Sequence, residues 1–130
     1  MADHPDAAVY REYVERFLRG DIDAVAPLLA DGVVWNEPGG AAAISDKQAV
    51  LEQMRWVTSG LDVEIDVHDV VANDRHVVAL TQFHLTAADR TLASRSVEIW
   101  HVRDQQVTER WVFVDDIAEF MDFFANLARG

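Results

Sequence analysis

Residues 61–68 read LDVEIDVH, and this alternation of apolar and polar side chains decides the class of fold. A period of two residues predicts a β-strand that buries one face and leaves the other in water. The alternation fails at residues 69–71, which predicts a bulge or bend, and Asn73-Asp74 then predicts a hairpin turn. Three further strands are predicted over residues 75–86, 91–102 and 107–114. Four strands that follow one another directly predict an antiparallel sheet.

Two helices are predicted before this run of strands. Apolar side chains recur at helical spacing over residues 6–19, and Gly20 supplies a C-terminal stop. Asp21 can cap a second, shorter helix that ends at Asp31-Gly32. Pro27 lies inside that helix and is expected to kink it.

Capping boxes, in which side chains at the start of a helix bond its free backbone N–H groups, mark two more helices. The pairs are Ser45 with Gln48 and Asp116 with Glu119. The third helix follows a short strand at residues 33–35 and runs to about residue 58, and the last carries a clear apolar stripe. The order α-α-β-α-β-β-β-β-α belongs to the α+β class and fits a single domain over residues 1–130.

Composition and charge limit the functions that the chain can have. Half of its 130 residues are hydrophobic, which is typical of a globular domain with its own core. Its net charge of −12 argues against binding to nucleic acid or to an anionic membrane, because both are negatively charged. It has no cysteine, no apolar run long enough to span a membrane and no signal peptide at residues 1–8. A cytoplasmic location is therefore expected.

The late strands predict an interface as well as a core. In the strand over residues 91–102, one face carries Ser94, Ser96, Glu98 and Trp100. In the last strand both faces are apolar, with Trp111 and Phe113 on one and Val112 and Val114 on the other. A sheet with two apolar faces needs another layer of structure packed on each face. The helices pack on one face, and we expect a second copy of the sheet to pack on the other in a two-fold homodimer.

Three stretches of sequence carry a family resemblance. They are YVERFLRGDIDAVAPLLADGVVWNEP at residues 13–38, SVEIWHV at residues 96–102 and VTERWVFVD at residues 107–115. Over nearly the whole chain they resemble the nuclear transport factor 2-like superfamily, in its ketosteroid-isomerase and SnoaL-like branches. The resemblance implies a cone-shaped, curved antiparallel sheet wrapped by helices, a cystatin-like roll with a deep pocket at its open end. It also implies dimers formed through the sheet.

The resemblance to ketosteroid isomerases identifies three candidate catalytic residues. A family tyrosine stands seven residues before a Gly-Asp pair, as Tyr13 stands before Gly20-Asp21. The family's general base precedes a proline on the first strand, and the matching residue here is Glu37 before Pro38. The family's protonated acid lies in the middle of a late strand, where this chain has Glu98. Both family acids are aspartates, so each side chain here is one methylene longer.

Two other branches indicate positions for ligand contact. The SnoaL-like polyketide cyclases have an acid–base aspartate after the tryptophan of the last strand, where this chain has Val112. Relatives of limonene-epoxide hydrolase bridge two carboxylates with an arginine, and the matching positions here are Glu98, Asp115 and Ser96. We therefore expect Val112 and Asp115 to contact a ligand.

The residues themselves also favour acid–base chemistry. A carboxyl group that faces an apolar pocket has a raised pKa, and two such groups can separate into a base and a hydrogen-bond donor. In the arrangement that the resemblance to ketosteroid isomerases implies, Glu37 would take a proton next to a carbonyl, while Tyr13 and protonated Glu98 would hold the oxyanion. The expected apolar wall consists of Trp35, Trp56, Phe83 and Trp100. These residues predict a cofactor-free isomerase or cyclase that acts on a small hydrophobic carbonyl compound.

Two alternatives stay open at this point. A non-catalytic ligand-binding or accessory domain would use the same pocket, with its carboxylates anchoring a ligand or neutralised by Arg110 or Arg95. A protein-interaction module would use the apolar sheet face, and its pocket would be filled by side chains. No metal is expected, because Glu98 and His101 point to opposite faces of one strand and the other histidines lack ligand spacing.

Overall fold

The structure is a computed structural model that describes residues 4–40 and 42–129, so the predicted domain limits at residues 1 and 130 lie outside the described residues. Its helices are α1 (Pro5–Leu18), α2 (Ile22–Val25), α3 (Lys47–Gly60) and α4 (Ile117–Arg129). Its strands are β1 (Leu29–Trp35), β2 (Asp62–Ala72), β3 (Val77–Ala87), β4 (Arg90–Arg103) and β5 (Gln106–Val114). The order of these elements is the predicted one, which confirms the α+β class.

One curved five-stranded sheet forms the body of the fold, in the order β1-β5-β4-β3-β2. Strands β2 to β5 pair antiparallel, each with the next in sequence. Strand β1 pairs parallel with β5 at the edge, a pairing that the sequence pattern did not predict. The register shifts between Val67 and Asp69, which confirms the predicted bulge. In the predicted hairpin turn, Asn73 Oδ1 accepts a hydrogen bond of 2.9 Å from the backbone N–H of His76.

The chain between α1 and α3 differs from the prediction. Helix α2 stops at Val25 instead of reaching Asp31-Gly32, and a short 3-10 segment that contains Pro27 follows it. Because proline has no N–H with which to continue an α-helix, the helix ends there and is not merely kinked. Strand β1 begins at Leu29, well before the predicted start, because Leu29 pairs in register with Val107 of β5.

The predicted helix caps are confirmed at α4 and wrong at α3. Asp116 Oδ1 accepts a hydrogen bond of 3.0 Å from the backbone N–H of Glu119, as the pattern predicted. At α3 the cap is not Ser45 but the next residue, Asp46, whose Oδ1 accepts a hydrogen bond of 3.0 Å from the N–H of Gln48. Asp46 is the extended residue directly before the helix, so its carboxylate lies where the free N–H groups point.

An aromatic cluster between α1 and the sheet forms the centre of the core. Trp100 has no solvent exposure. Its ring centroid lies 4.8, 5.1 and 5.5 Å from the ring centroids of Tyr13, Tyr10 and Trp35. Aromatic contacts at such distances add to the free energy that burial alone supplies. The cluster holds α1 against β1 and β4. It thereby sets where the side chains of α1 enter the interior of the fold.

Helix α4 packs on the sheet through a second, smaller cluster. Phe123 is buried there with Leu61, Leu85 and Leu92. The helix also passes close to Gly39, where an added Cβ would lie 3.0 Å from Ile117 Cδ1 and 3.0 Å from Met121 Sδ. Gly39 has a φ of +85°, so both its backbone conformation and this close approach require glycine. The contact sets α4 beside the end of β1, where Glu37 lies.

Replacing the observed cap of α3 should destabilise the protein, whereas replacing the predicted cap should not. We expect Asp46→Ala to lower the free energy of unfolding by about 1 kcal/mol, because a backbone N–H loses its acceptor. Ser45→Ala, at the adjacent and also exposed position, should change it by less than about 0.5 kcal/mol. Urea unfolding of both variants beside the wild type measures the difference. Equal losses in the two variants would contradict this assignment of the cap.

Candidate functional site

The inner face of the sheet, which is the face covered by α1 and α4, lines a site with two parts. The first, here named the inner pocket, has a volume of about 150 Å³ and lies between α1 and strands β2 to β5. It opens into a vestibule of about 460 Å³ beside α3 and α4, where Trp56 and Met121 are half exposed. Both spaces are lined by Tyr13, Phe17, Glu37, Pro38, Val57, Arg110 and Phe120. The shared lining makes them one continuous site.

Glu98 lies on the inner face of β4 and lines the inner pocket. Its Oε2 accepts a hydrogen bond of 2.8 Å from the hydroxyl of Tyr10, a fully buried residue of α1. Burial raises the pKa of Glu98, while the positive charge of Arg110 and the hydrogen bond from Tyr10 oppose the rise. The indole N–H of Trp100 acts in the same opposing direction but does not reach hydrogen-bond geometry. The surroundings therefore favour the protonated form of this carboxyl group.

Glu37 lies directly after β1 and lines both the inner pocket and the vestibule. Its Oε1 accepts a hydrogen bond of 3.0 Å from Nε2 of Gln53 on α3 and lies 3.6 Å from Nη2 of Arg110. The two carboxyl groups thus have different surroundings. Glu37 faces an amide and a cation at the junction of the two spaces, whereas Glu98 is bonded to a buried tyrosine.

Arg110 places a positive charge beside both carboxyl groups. It lies on the inner face of β5, and its guanidinium carbon stands 4.0 Å from the ring centroid of Trp35. Its Nη2 donates a hydrogen bond of 3.2 Å to the carbonyl oxygen of Asn36. Its Nε is buried and has no acceptor among residues 4–40 and 42–129. From the sequence, Arg110 was expected only as a group that neutralises an acid in a ligand-binding domain, and its place at the centre of the site was not predicted.

Tyr13, the third predicted catalytic residue, reaches both spaces from α1. It is only 6% exposed, and its hydroxyl has no hydrogen-bond partner within the described part of the chain. Burial raises the pKa of Tyr13, against the opposing charge of Arg110, so the hydroxyl stays a donor. The tyrosine that bonds Glu98 is Tyr10, which sequence reasoning missed. Its position one helical turn before Tyr13, on the same face, was the signal that could have identified it.

The six residues predicted to contact a ligand do not all lie at the site. Phe83 and Val112 line the inner pocket, and Trp35 and Trp56 line the vestibule. Trp100 is fully buried in the core and lines neither space. Asp115 lies on the opposite, outer face of the sheet, where its Oδ2 accepts hydrogen bonds from the backbone N–H of Arg95 at 3.0 Å and from its Nε at 3.2 Å. These bonds lower the pKa of Asp115.

No group of three or more His, Cys, Asp and Glu side chains among residues 4–40 and 42–129 could hold a metal ion. No helix in the same ranges is long and apolar enough to cross a membrane.

The family model of the SnoaL-like domain matches residues 10–110, which is most of the chain. The protein therefore belongs to the SnoaL-like domain family. No curated protein sequence matches it significantly.

Solved structures with the same fold agree with this assignment. An LEH-like epoxide hydrolase from M. tuberculosis is 16% identical, with a TM-score of 0.79 and 97% of each chain covered. A proposed polyketide cyclase from Xanthomonas campestris pv. campestris is 22% identical, with a TM-score of 0.74 and coverage of 91% of this chain and 95% of the other. A proposed ketosteroid isomerase from Kribbella flavida is 20% identical, with a TM-score of 0.73 and coverage of 86% and 78%. These identities show the fold alone, which is the predicted nuclear transport factor 2-like fold.

Glu98, which is partly buried in the wall of the inner pocket, should make stability depend on pH in a defined direction. Its pKa in the folded state is raised above the ordinary value of 4.5, so the folded protein holds this proton more tightly than the unfolded chain. The tighter binding of this proton stabilises the folded protein at low pH. This stabilisation is lost as pH rises from the pKa of Glu98 in the unfolded chain to its pKa in the folded protein, by up to about 1.4 kcal/mol per pH unit. Glu98→Gln keeps an acceptor for Tyr10 but cannot ionise. It should therefore gain stability relative to the wild type over this range, measured by urea unfolding at a series of pH values.

Glu64→Gln serves as the matched control, because it removes a glutamate from an exposed position on β2 that does not line the site. The stability of this variant relative to the wild type should not show the same rise with pH. Parallel pH profiles for the wild type and Glu98→Gln would contradict a raised pKa.

Proposed function

We propose that this protein is a cofactor-free acid–base enzyme of the isomerase or cyclase type that acts on a small hydrophobic carbonyl compound. The observation that carries the proposal is that Glu37, Glu98 and Tyr13 line one pocket. Two carboxyl groups in different surroundings can act as base and acid at the same pH. Apolar side chains such as Phe83 and Val112 supply much of the remaining wall, which strengthens electrostatic interactions inside it.

The reaction would begin at a carbon next to a carbonyl group. Glu37 takes a proton from this carbon, and the electron pair of the broken C–H bond forms an enolate. Protonated Glu98 and the hydroxyl of Tyr13 donate hydrogen bonds to the enolate oxygen. In an isomerisation, Glu37 returns the proton to a different carbon. In a ring closure, the enolate carbon attacks a second carbonyl of the same molecule, and the resulting alkoxide takes the proton from Glu37.

Tyr10 would act as a positioning residue for this chemistry. Its hydroxyl donates a hydrogen bond to Oε2 of Glu98. Oε1 is therefore left to carry the proton and to donate a hydrogen bond to a ligand oxygen. The inner pocket, at about 150 Å³, matches in size an apolar cavity of about 150 Å³ that is known to hold benzene. One ring or a short chain would therefore occupy the inner pocket, and the rest of the molecule would extend into the vestibule.

The names of the structural relatives are consistent with this proposal. They are described as an LEH-like epoxide hydrolase, a proposed polyketide cyclase and a proposed ketosteroid isomerase. Because one fold carries many activities, these names favour an isomerase- or cyclase-type family and do not define a substrate.

A non-catalytic ligand-binding domain is the second candidate, and one observation favours it. Glu37 already accepts a hydrogen bond from Gln53 and lies 3.6 Å from the guanidinium of Arg110. A carboxylate oxygen that already contacts an amide and a cation has to give up these contacts before it can take a proton from a ligand. In that case the carboxylates would orient a ligand without transferring a proton.

Exchange of carbon-bound hydrogen separates these two candidates. The wild type should accelerate the exchange of α-hydrogens of small cyclic ketones for deuterium in D₂O, followed by proton NMR. Glu37→Gln should slow this exchange by about 10²–10⁴-fold, because it removes the base. Tyr13→Phe should slow it by about 10²–10³-fold, because it removes one donor to the oxyanion.

Glu64→Gln, outside the pocket, should match the wild type in this assay. If ketones that NMR shows to be bound in the pocket exchange no faster than in buffer, the binding domain becomes the better reading.

We also propose a homodimer that forms through the outer face of the sheet. Leu80, Val97 and Phe113 form a row across β3, β4 and β5, because Val97 is the register partner of both others. They are 38%, 38% and 57% exposed. A continuous apolar row on an open sheet face supports burial against a second copy.

Phe113→Glu should convert this dimer to a monomer, since it places a charge in the centre of the apolar row. Sedimentation velocity at micromolar concentration measures the change. Leu18→Glu on α1 alters an exposed apolar residue away from the sheet and should leave the dimer intact. A wild type that sediments as a monomer would contradict the proposal.

A further inference from the structure

The guanidinium of Arg110 is buried with too few partners. Its side chain is only 11% exposed, and the one carboxylate oxygen in ion-pair range among residues 4–40 and 42–129, Oε1 of Glu37, is 3.6 Å away. Charge-assisted hydrogen bonds between arginine and carboxylate are shorter, about 2.7–2.9 Å, and are often bidentate. Nε of Arg110 has no acceptor at all among the described residues. Burial of a charge is unfavourable unless close partners compensate it, and the described residues compensate this cation only in part.

The same guanidinium is nevertheless held in a fixed orientation. The face of Trp35 supports it at 4.0 Å, and the carbonyl oxygen of Asn36 accepts one N–H of Nη2 at 3.2 Å. Arg110 lines both the inner pocket and the vestibule, so it stands at their junction. A fixed cation without a close anionic partner in the described ranges therefore stands where the two spaces meet.

We propose that the ligand of this pocket carries a carboxylate group, which binds to Arg110 at the junction of the two spaces. The planar fork of arginine matches the two oxygens of a carboxylate. Oε1 of Glu37 lies 3.6 Å from Nη2 of Arg110, so the ligand's carboxylate competes with Glu37 for Arg110. Because this inference rests on the proposed function, it narrows the substrate class to apolar keto acids, with the carbonyl in the inner pocket.

The net charge of −12 does not prevent a carboxylate from binding to Arg110. Long-range repulsion of an anion is screened over about 8 Å at physiological ionic strength, and it mainly slows the encounter. A contact with a buried guanidinium is screened much less. The selectivity between an anion and a neutral analogue therefore depends on Arg110 and not on the outer surface.

Benzoate and benzamide are a matched pair of probes, because they have the same ring and nearly the same shape and differ in charge. Calorimetry and NMR titration should show that the wild type binds benzoate more tightly than benzamide. Arg110→Gln should weaken benzoate binding by about 10- to 100-fold and leave benzamide nearly unchanged. Arg95→Gln, which removes an arginine from the outer face, should bind benzoate as the wild type does. Formate is a second probe of carboxylate binding at the junction, because it is small enough for the inner pocket. Chloride at equal ionic strength serves as its control.

Glu37→Gln gives an independent test that does not depend on the folding of Arg110→Gln. Because it removes the internal competitor, it should strengthen benzoate binding several-fold without strengthening benzamide binding. Equal affinity of the wild type for both probes, no gain in Glu37→Gln, or no specific effect of either benzoate or formate would overturn the inference.

Failure of this inference is distinguishable from failure of the proposed function. Ketone exchange without any preference for carboxylates would leave the enzyme in place and remove the carboxylate site. A carboxylate preference that depends on Arg110, without any ketone exchange, would leave the carboxylate site in place and remove the proposed enzyme activity.

Discussion

The hydrogen bond between Tyr10 and Glu98 joins the first helix to the sheet inside the pocket. Both groups lie beside the aromatic cluster around Trp100, where an unpaired hydroxyl or carboxyl group would be costly. Because each satisfies the other, Tyr10 can be fully buried and Glu98 can stand in the wall of an apolar space. Tyr13, one helical turn further along α1, is positioned by the same cluster.

Arg110 is the second constraint, and it places a positive charge beside both acids. Its charge opposes the raised pKa of Glu98 and lies within ion-pair distance of Glu37, while Trp35 and the backbone of Asn36 hold it in place. Glu98 depends on a neutral donor, whereas Glu37 depends on this cation and on Gln53. The site therefore combines an acid in apolar surroundings with a carboxylate in polar ones, and the proposed acid–base mechanism depends on this difference.

Much of the sheet could be predicted from local patterns. The alternation in β2 and its interruption near Asp69 were visible because a strand with one wet face has a period of two. The parallel pairing of Leu29 with Val107 was not visible, because it joins segments far apart in sequence and no local pattern encodes such a partner. The cap at Asp46 was missed because Ser45, directly before it, satisfied a common motif.

The candidate site was partly predictable for similar reasons. Glu37, Glu98 and Tyr13 were found through the family resemblance, and the structure brings all three to one pocket. Arg110 was missed as a site residue because the faces of β5 were assigned only from Trp111 onward. Counting back two residues from Val112 would have placed Arg110 on the inner face. The hydrogen bond of Tyr10 depends on how α1 is rotated against the sheet, which tertiary packing decides.

The most direct test is the titration of the Glu98 side-chain carboxyl carbon by NMR, with Glu98→Gln to assign its signal. The structure predicts that Glu98 titrates above 4.5, and that Tyr10→Phe moves its pKa further up, because the lost hydrogen bond favoured the ionised form. A Glu98 that titrates at or below 4.5, or that does not respond to Tyr10→Phe, would contradict the account of a protonated acid held in the pocket by Tyr10.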